Sequence, residues 1–136
     1  MSNLFSKAAI VSDDFGAMIS SAKAYFNAYS EKKYKYHQCI VIKTADGGQT
    51  VCPVAADSVD ELKGKACLDI AGVLENKGNN AVKKIVCMWE NGDIDVPSYD
   101  LMDKIRGINA ENADAEVLLN AGADSYVSRK IKDIIF

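Results

Sequence analysis

The run from Val82 to Trp89, VKKIVCMW, is continuously apolar beyond its two lysines. A strand of that kind is covered on both faces, so it belongs at the centre of a sheet that carries helices on each side. Upstream, YHQCIVIKT and QTVCPVA are rich in β-formers and are joined by ADGG, whose glycines supply the positive φ of a tight hairpin. The two runs therefore pair antiparallel. Pro53 lacks an amide donor, which places its strand at an edge or bulges it there.

Helices flank these strands. From Ser12, the residues Phe15, Met18, Ile19, Ala22, Phe26 and Tyr29 recur at helical spacing, with Asp13 and Asp14 in the first turn, where a helix start favours anions. That helix runs about five turns. SVDE at 58 to 61 has the form of a capping box, and Gly78 follows the expected end of a helix bearing Leu62, Ala66, Ile70, Val73 and Leu74 on one side. After VKKIVCMW, Asn91-Gly92 makes a turn. The next helix carries Leu101, Ile105 and Ile108, and Asp95, Pro97 or Ser98 begins it. EVLLN is a fourth strand, AGAD a turn, and a short helix with Ile131, Ile134 and Ile135 closes the chain.

The order α-ββ-α-β-α-β-α predicts an α/β fold. It is a three-layer α-β-α sandwich around a mixed sheet, in one domain over residues 1–136, with the later strands parallel and joined by right-handed crossovers.

Composition narrows the function classes. The 136 residues are 49% hydrophobic and 26% charged, with two prolines, which is the profile of one globular core. A net charge of -3 argues against binding a phosphate backbone, so nucleic acid is not an expected partner. The basic stretch EKKYKYH at 31 to 37 reads as a solvated helix end running into a strand. MSNLFSKAAIV has neither the length nor the cleavage site of a signal peptide, and no apolar stretch nears the roughly 18 residues of a membrane span. Cys39, Cys52, Cys67 and Cys87 form no CxxC pair and read as free core thiols. The expected location is the cytoplasm.

ENGDIDVPSYDLMDKI, residues 90 to 105, brings a proline and several acids to a strand-to-helix corner. With the element order, this stretch resembles the cytidine deaminase family over most of the chain. In that family the second helix opens with Cys-Ala-Glu or His-Ala-Glu, and here the corresponding triplet is Cys67-Leu68-Asp69. The family's Pro-Cys-Gly-x-Cys-Arg-Gln corresponds to PSYDLMD, so Pro97 matches the proline while Ser98 and Leu101 occupy the places of the two zinc-binding cysteines. Met102 and Asp103 replace the arginine and glutamine. The ribose-holding Asn-x-Glu corresponds to Ala55-Ala56-Asp57, with a one-residue shift relative to Cys67.

The resemblance implies what those departures remove. Zinc deaminases hold the metal with three protein ligands and use a separate Glu as proton shuttle. Leucine ligates no metal and neutral serine is a poor zinc ligand, so the site expects no metal, and zinc is lost as cofactor. No catalytic residue is assigned, with Cys67 and Asp69 as vestigial candidates. Cys67 reads first as a core thiol, because no basic partner lies nearby in sequence to lower its pKa. Asp69 is either an acid–base group or a solvent-side charge.

Asp57, Pro97, Ser98 and Tyr99 are the candidate ligand-binding residues, Tyr99 as a stacking ring and Ser98 as a cap or anion site. Asp93, Asp95, Asp100 and Asp103 read as helix-start acids before they read as a cation site. His37 has no assigned role, and Trp89 lines either the pocket or a subunit contact.

The leading expectation is a non-catalytic, deaminase-fold binding or assembly module with residual affinity for a nucleoside-like ligand. The alternatives are an active cytidine or base deaminase with an unconventional site and a purely structural oligomer-forming protein. Self-association as a dimer or tetramer is what the resemblance implies for partners.

Overall fold

The computed structural model describes residues 13–28, 33–76, 80–122 and 125–134. Ser12, Tyr29, Gly78 and Ile135 therefore lie outside the described residues. The elements are α1 (Asp13–Ala28), β1 (Tyr36–Thr44), β2 (Gln49–Ala56), α2 (Val59–Asn76), β3 (Val82–Trp89) and α3 (Tyr99–Ile108). A 3-10 turn (Ala110–Asp114), β4 (Glu116–Asn120), β5 (Tyr126–Lys130) and the short helix α4 (Ile131–Ile134) follow.

The five strands form one mixed sheet in the order β2-β1-β3-β4-β5. β1 pairs antiparallel with β2 and with β3, β3 runs parallel to β4, and β4 pairs antiparallel with β5. VKKIVCMW is thus the central strand, and its Ile85 to Met88 are buried on both faces. Pro53 lies on β2, at the sheet edge, where the missing amide costs no ladder bond on the outer side. The hairpin turns through Gly47, whose φ of 89° suits a residue without a Cβ.

Each face has its own core. Phe15, Met18 and Ala22 of α1 bury against Cys39, Val41, Val86, Met88 and Leu118. On the other face Leu62, Ala66, Ile70 and Leu74 of α2, with Leu101, Met102 and Ile105 of α3, cover Ile40, Ile42, Cys52, Val54, Ile85, Cys87 and Val117. Ile131 of α4 joins this second core. The α-β-α layering follows from apolar side chains on both faces of β1 and β3.

The expected order lacked β5. Tyr126 to Lys130 was expected to lead into the final helix, but it pairs in register with β4, Tyr126 opposite Asn120 and Lys130 opposite Glu116. The strand is a short edge without fully buried residues, so it shows no apolar alternation. Helix α4 correspondingly begins only at Ile131, and within the described residues it spans Ile131–Ile134.

Among the described residues, no helix is long and apolar enough to cross a membrane. His37, Thr44, Ser125 and Asn112 are the buried polar residues among those described, and Asn112 is fully buried. Its side chain accepts from the Val82 amide at 2.7 Å and donates to the carbonyls of Asn80 at 3.0 Å and Ile105 at 2.9 Å, tying β3, the 3-10 turn and α3 together.

Candidate functional site

The corner after β3 owes its position to a local reversal. Gly92, at φ 94°, turns the chain, with its amide donating to the Trp89 carbonyl at 2.9 Å. The chain then runs back along β3, where the Trp89 amide donates to the Asp93 carbonyl at 2.8 Å and the Asp95 amide to the Cys87 carbonyl at 2.9 Å. Ile94 lies opposite Met88 in an antiparallel bridge. β3 pairs with β4 only at Lys84 and Ile85, so its upper half is free to accept this returning segment. Pro97 and the start of α3 are thereby fixed relative to the sheet.

Ser98 begins α3. Its backbone is extended (φ -61°, ψ 154°), its Oγ accepts from the Leu101 amide at 3.2 Å, and its carbonyl accepts from Met102 at 3.1 Å. Of the three residues that could begin this helix, Ser98 is the N-cap, because its short hydroxyl reaches an otherwise unpaired first-turn amide. Leu101 is 1% exposed and fills the space beneath. α2 begins in the same way, with the Ser58 Oγ accepting from the Glu61 amide at 3.2 Å.

Between the first two turns of α2 and the start of α3 lies a cavity of about 370 Å³, a size suited to a small ligand. Val59, Leu62, Lys63 and Ala66 form its α2 wall; Asp95, Val96, Pro97, Ser98, Tyr99 and Leu101 form the opposite one; Gln38 and Trp89 contribute from the sheet. Trp89 is held by its indole N–H, which donates to Asp95 Oδ2 at 3.0 Å, and by an edge-on contact with Tyr36 at 6.5 Å between ring centroids. The other Asp95 oxygen accepts from the Val96 amide at 2.8 Å.

Of the residues singled out in the sequence, Pro97, Ser98, Tyr99 and Leu101 line this cavity together. Cys67, Asp69 and Asp57 are not in its lining. The helix that carries the triplet begins where the capping box at Ser58 puts it. α2 starts at Val59, so Cys67-Leu68-Asp69 sits about two turns in, in the early-to-middle part of the helix. Cys67 is half-buried against the α2–α3 core. Its thiol is pushed above its ordinary value by burial first and by Asp100 second, with Lys104 opposing, so its thiolate is disfavoured. Leu68 and Asp69 are exposed on the outer face of α2.

Asp57 follows β2, exposed, and its Oδ1 accepts from the Lys35 amide at 3.2 Å. The four corner acids do not converge. Asp93 bonds with Asn91, Asp95 holds Trp89, and Asp103 pairs with Arg106 within α3. His37 is buried with a ring nitrogen 2.8 Å from the Tyr34 carbonyl.

Gln38, Val59, Leu62, Lys63 and Ala66 were not singled out. The capping box at Ser58 carried the signal, because it fixes which turns of α2 come first and hence which residues face the corner. As a zinc site the lining does not fit. It offers one carboxylate already bonded to Trp89 and Val96, a serine hydroxyl bonded to its own helix, and an ammonium group. Among the described residues, no three His, Cys, Asp or Glu side chains are grouped to hold a metal ion.

No protein-family model and no curated protein matches the chain. Solved structures do. The cytidine deaminase of Mycobacterium leprae aligns at 12% identity with a TM-score of 0.64, covering 89% of this chain and 96% of that one. The Mycobacterium tuberculosis cytidine deaminase aligns at 11% identity and 0.62, covering 90% and 94%. A single-site mutant of the latter reaches 0.66 at 11% identity, covering 90% and 91%. At these identities the likeness speaks for the backbone, and with the five-stranded mixed sheet between helical layers it establishes that this chain has the cytidine deaminase-like fold.

Proposed function

We propose that this protein is a binding or assembly module on a deaminase fold, without catalytic zinc, whose cavity takes a small nucleoside-like ligand. One observation carries the reading. At the start of α3, where the family resemblance puts two thiolates, Ser98 is the helix cap and Leu101 is a core residue. Leu101 has no atom to offer a metal, and the neutral Ser98 hydroxyl, already bonded to its own helix, is a poor zinc ligand. The remaining ionisable groups of the lining, Lys63, Asp95 and Tyr99, supply neither a thiolate nor an imidazole.

What the lining does offer is recognition. Trp89 and Tyr99 present aromatic rings, and Gln38 presents an amide able to donate and accept on a ring edge. The apolar rim residues Val59, Val96 and Tyr99 are exposed around the same mouth, which favours a contact between copies there. Four free cysteines suit a reducing compartment.

Metal analysis of the purified full chain, expressed with zinc supplied, tests the central statement. The expected result is no bound zinc and no ammonia release from a nucleoside panel. About one tightly held zinc per chain overturns the reading. Light scattering tests the assembly half, and a strict monomer at working concentration removes it.

A further inference from the structure

Two lining residues of the cavity carry full charge, Lys63 and Asp95. Asp95 is engaged within the chain, one oxygen on the Trp89 indole and the other on the Val96 amide. Lys63 is different. Among the described residues it makes no salt bridge and no hydrogen bond. Lys65, two positions on, shows how this helix otherwise uses a lysine. It pairs with Glu61 at 3.5 Å, donates to the Ala55 carbonyl at 3.0 Å and lies over the Tyr34 ring at 4.6 Å. Lys63 is therefore an uncommitted cation on the α2 wall, across the cavity from the Trp89–Asp95 pair.

We infer that the ligand carries an anionic group that pairs with Lys63 while its ring lies against Trp89 and Tyr99, which makes it a nucleoside 5′-monophosphate rather than an uncharged nucleoside. This rests on the nucleoside-like ligand proposed above and adds the charged end. A lysine ammonium binds phosphate as a point charge from a flexible stem, and Lys63 is exposed enough to reach it. Trp89 is already oriented by Asp95 and Tyr36, so the ring meets a fixed aromatic face. Asp95 repels an anion from its own wall, which sends the phosphate to the α2 side.

Calorimetric titration of the full chain with the four ribonucleosides, their 5′-monophosphates and inorganic phosphate tests this. The monophosphate of the bound base is expected to bind about tenfold tighter than its nucleoside at low salt, with the gap closing as salt screens the pair. Lys63→Met abolishes the gap, while Lys63→Arg keeps it, circular dichroism confirming that both variants fold. Equal binding of nucleoside and monophosphate by the native chain, or a gap that survives Lys63→Met, overturns the inference and leaves the nucleoside pocket standing. Inorganic phosphate binding as tightly as the monophosphates overturns the placement of the ring. Binding of neither nucleosides nor monophosphates overturns the pocket reading itself.

Discussion

The indole N–H of Trp89 donates to Asp95 Oδ2 at 3.0 Å, joining the last residue of β3 to the segment that turns back along it. This bond fixes the aromatic floor of the cavity. Asp95→Ala is expected to release the ring toward solvent at a cost of about 1 kcal/mol, because the bond is exposed and competes with water. Trp89 is the chain's one tryptophan, so intrinsic fluorescence reports the change directly. A red-shifted emission maximum is the expected outcome, and an unshifted spectrum means the indole is held by packing alone.

Asn112 is a fully buried polar residue that bonds three backbone groups. Its truncation to alanine strands the Val82 amide and the carbonyls of Asn80 and Ile105 in a buried site. The expected loss is about 2–4 kcal/mol of unfolding free energy in a urea titration. Amide exchange at Val82 should accelerate in the same variant. A loss below about 1 kcal/mol means that water replaces the side chain.

Ser98→Ala removes the α3 cap and is expected to cost about 1 kcal/mol, whereas Ser98→Asn retains most of the stability. Neither variant changes metal content if Ser98 is structural. A change in metal content between native chain and Ser98→Ala contradicts the proposed role of the corner.

Buried thiols set a pH dependence. Burial, with Cys52 adding, pushes the Cys39 thiol from 9.0 to about 12; burial, with Asp69 adding, pushes Cys52 to about 11. Cys87 is raised further, by burial first, then by Asp95 and Cys39. Raised folded values mean that the native state keeps protons the unfolded chain releases. This contribution to stability is complete below pH 9.0 and falls away as pH climbs through about 11 and 12. Urea midpoints should decline across that window, and substituting Cys52 and Cys39 with Ala or Val should flatten the decline. At pH 8, a thiol reagent should label half-buried Cys67 before the other three.

Most of the fold was legible because its decisive signals are strong. VKKIVCMW could only be a central strand, ADGG could only be a turn, and Ser58 with Glu61 announced α2. β5 was not legible, since Tyr126 to Lys130 carries no buried alternation and takes its strand state from pairing with β4. Pro97, Ser98, Tyr99 and Leu101 were singled out in the sequence, and they share the lining of one cavity. Cys67 was matched by motif order as well and lies outside the cavity lining, where Lys63 and Ala66 of the same helix stand. Lys63 could not be singled out in the sequence, because a lysine on a helix reads as a solvated charge until its neighbours are known.

The segment from Asp93 to Asp95 is bonded to β3 almost as a sixth strand would be, through Trp89 and Cys87. That makes one wall of the cavity part of the sheet's rigid frame instead of a hinged flap. A molecule entering there meets a finished surface and has no loop to order on arrival, so association should follow a single exponential at every concentration, with an observed rate that rises linearly and never saturates.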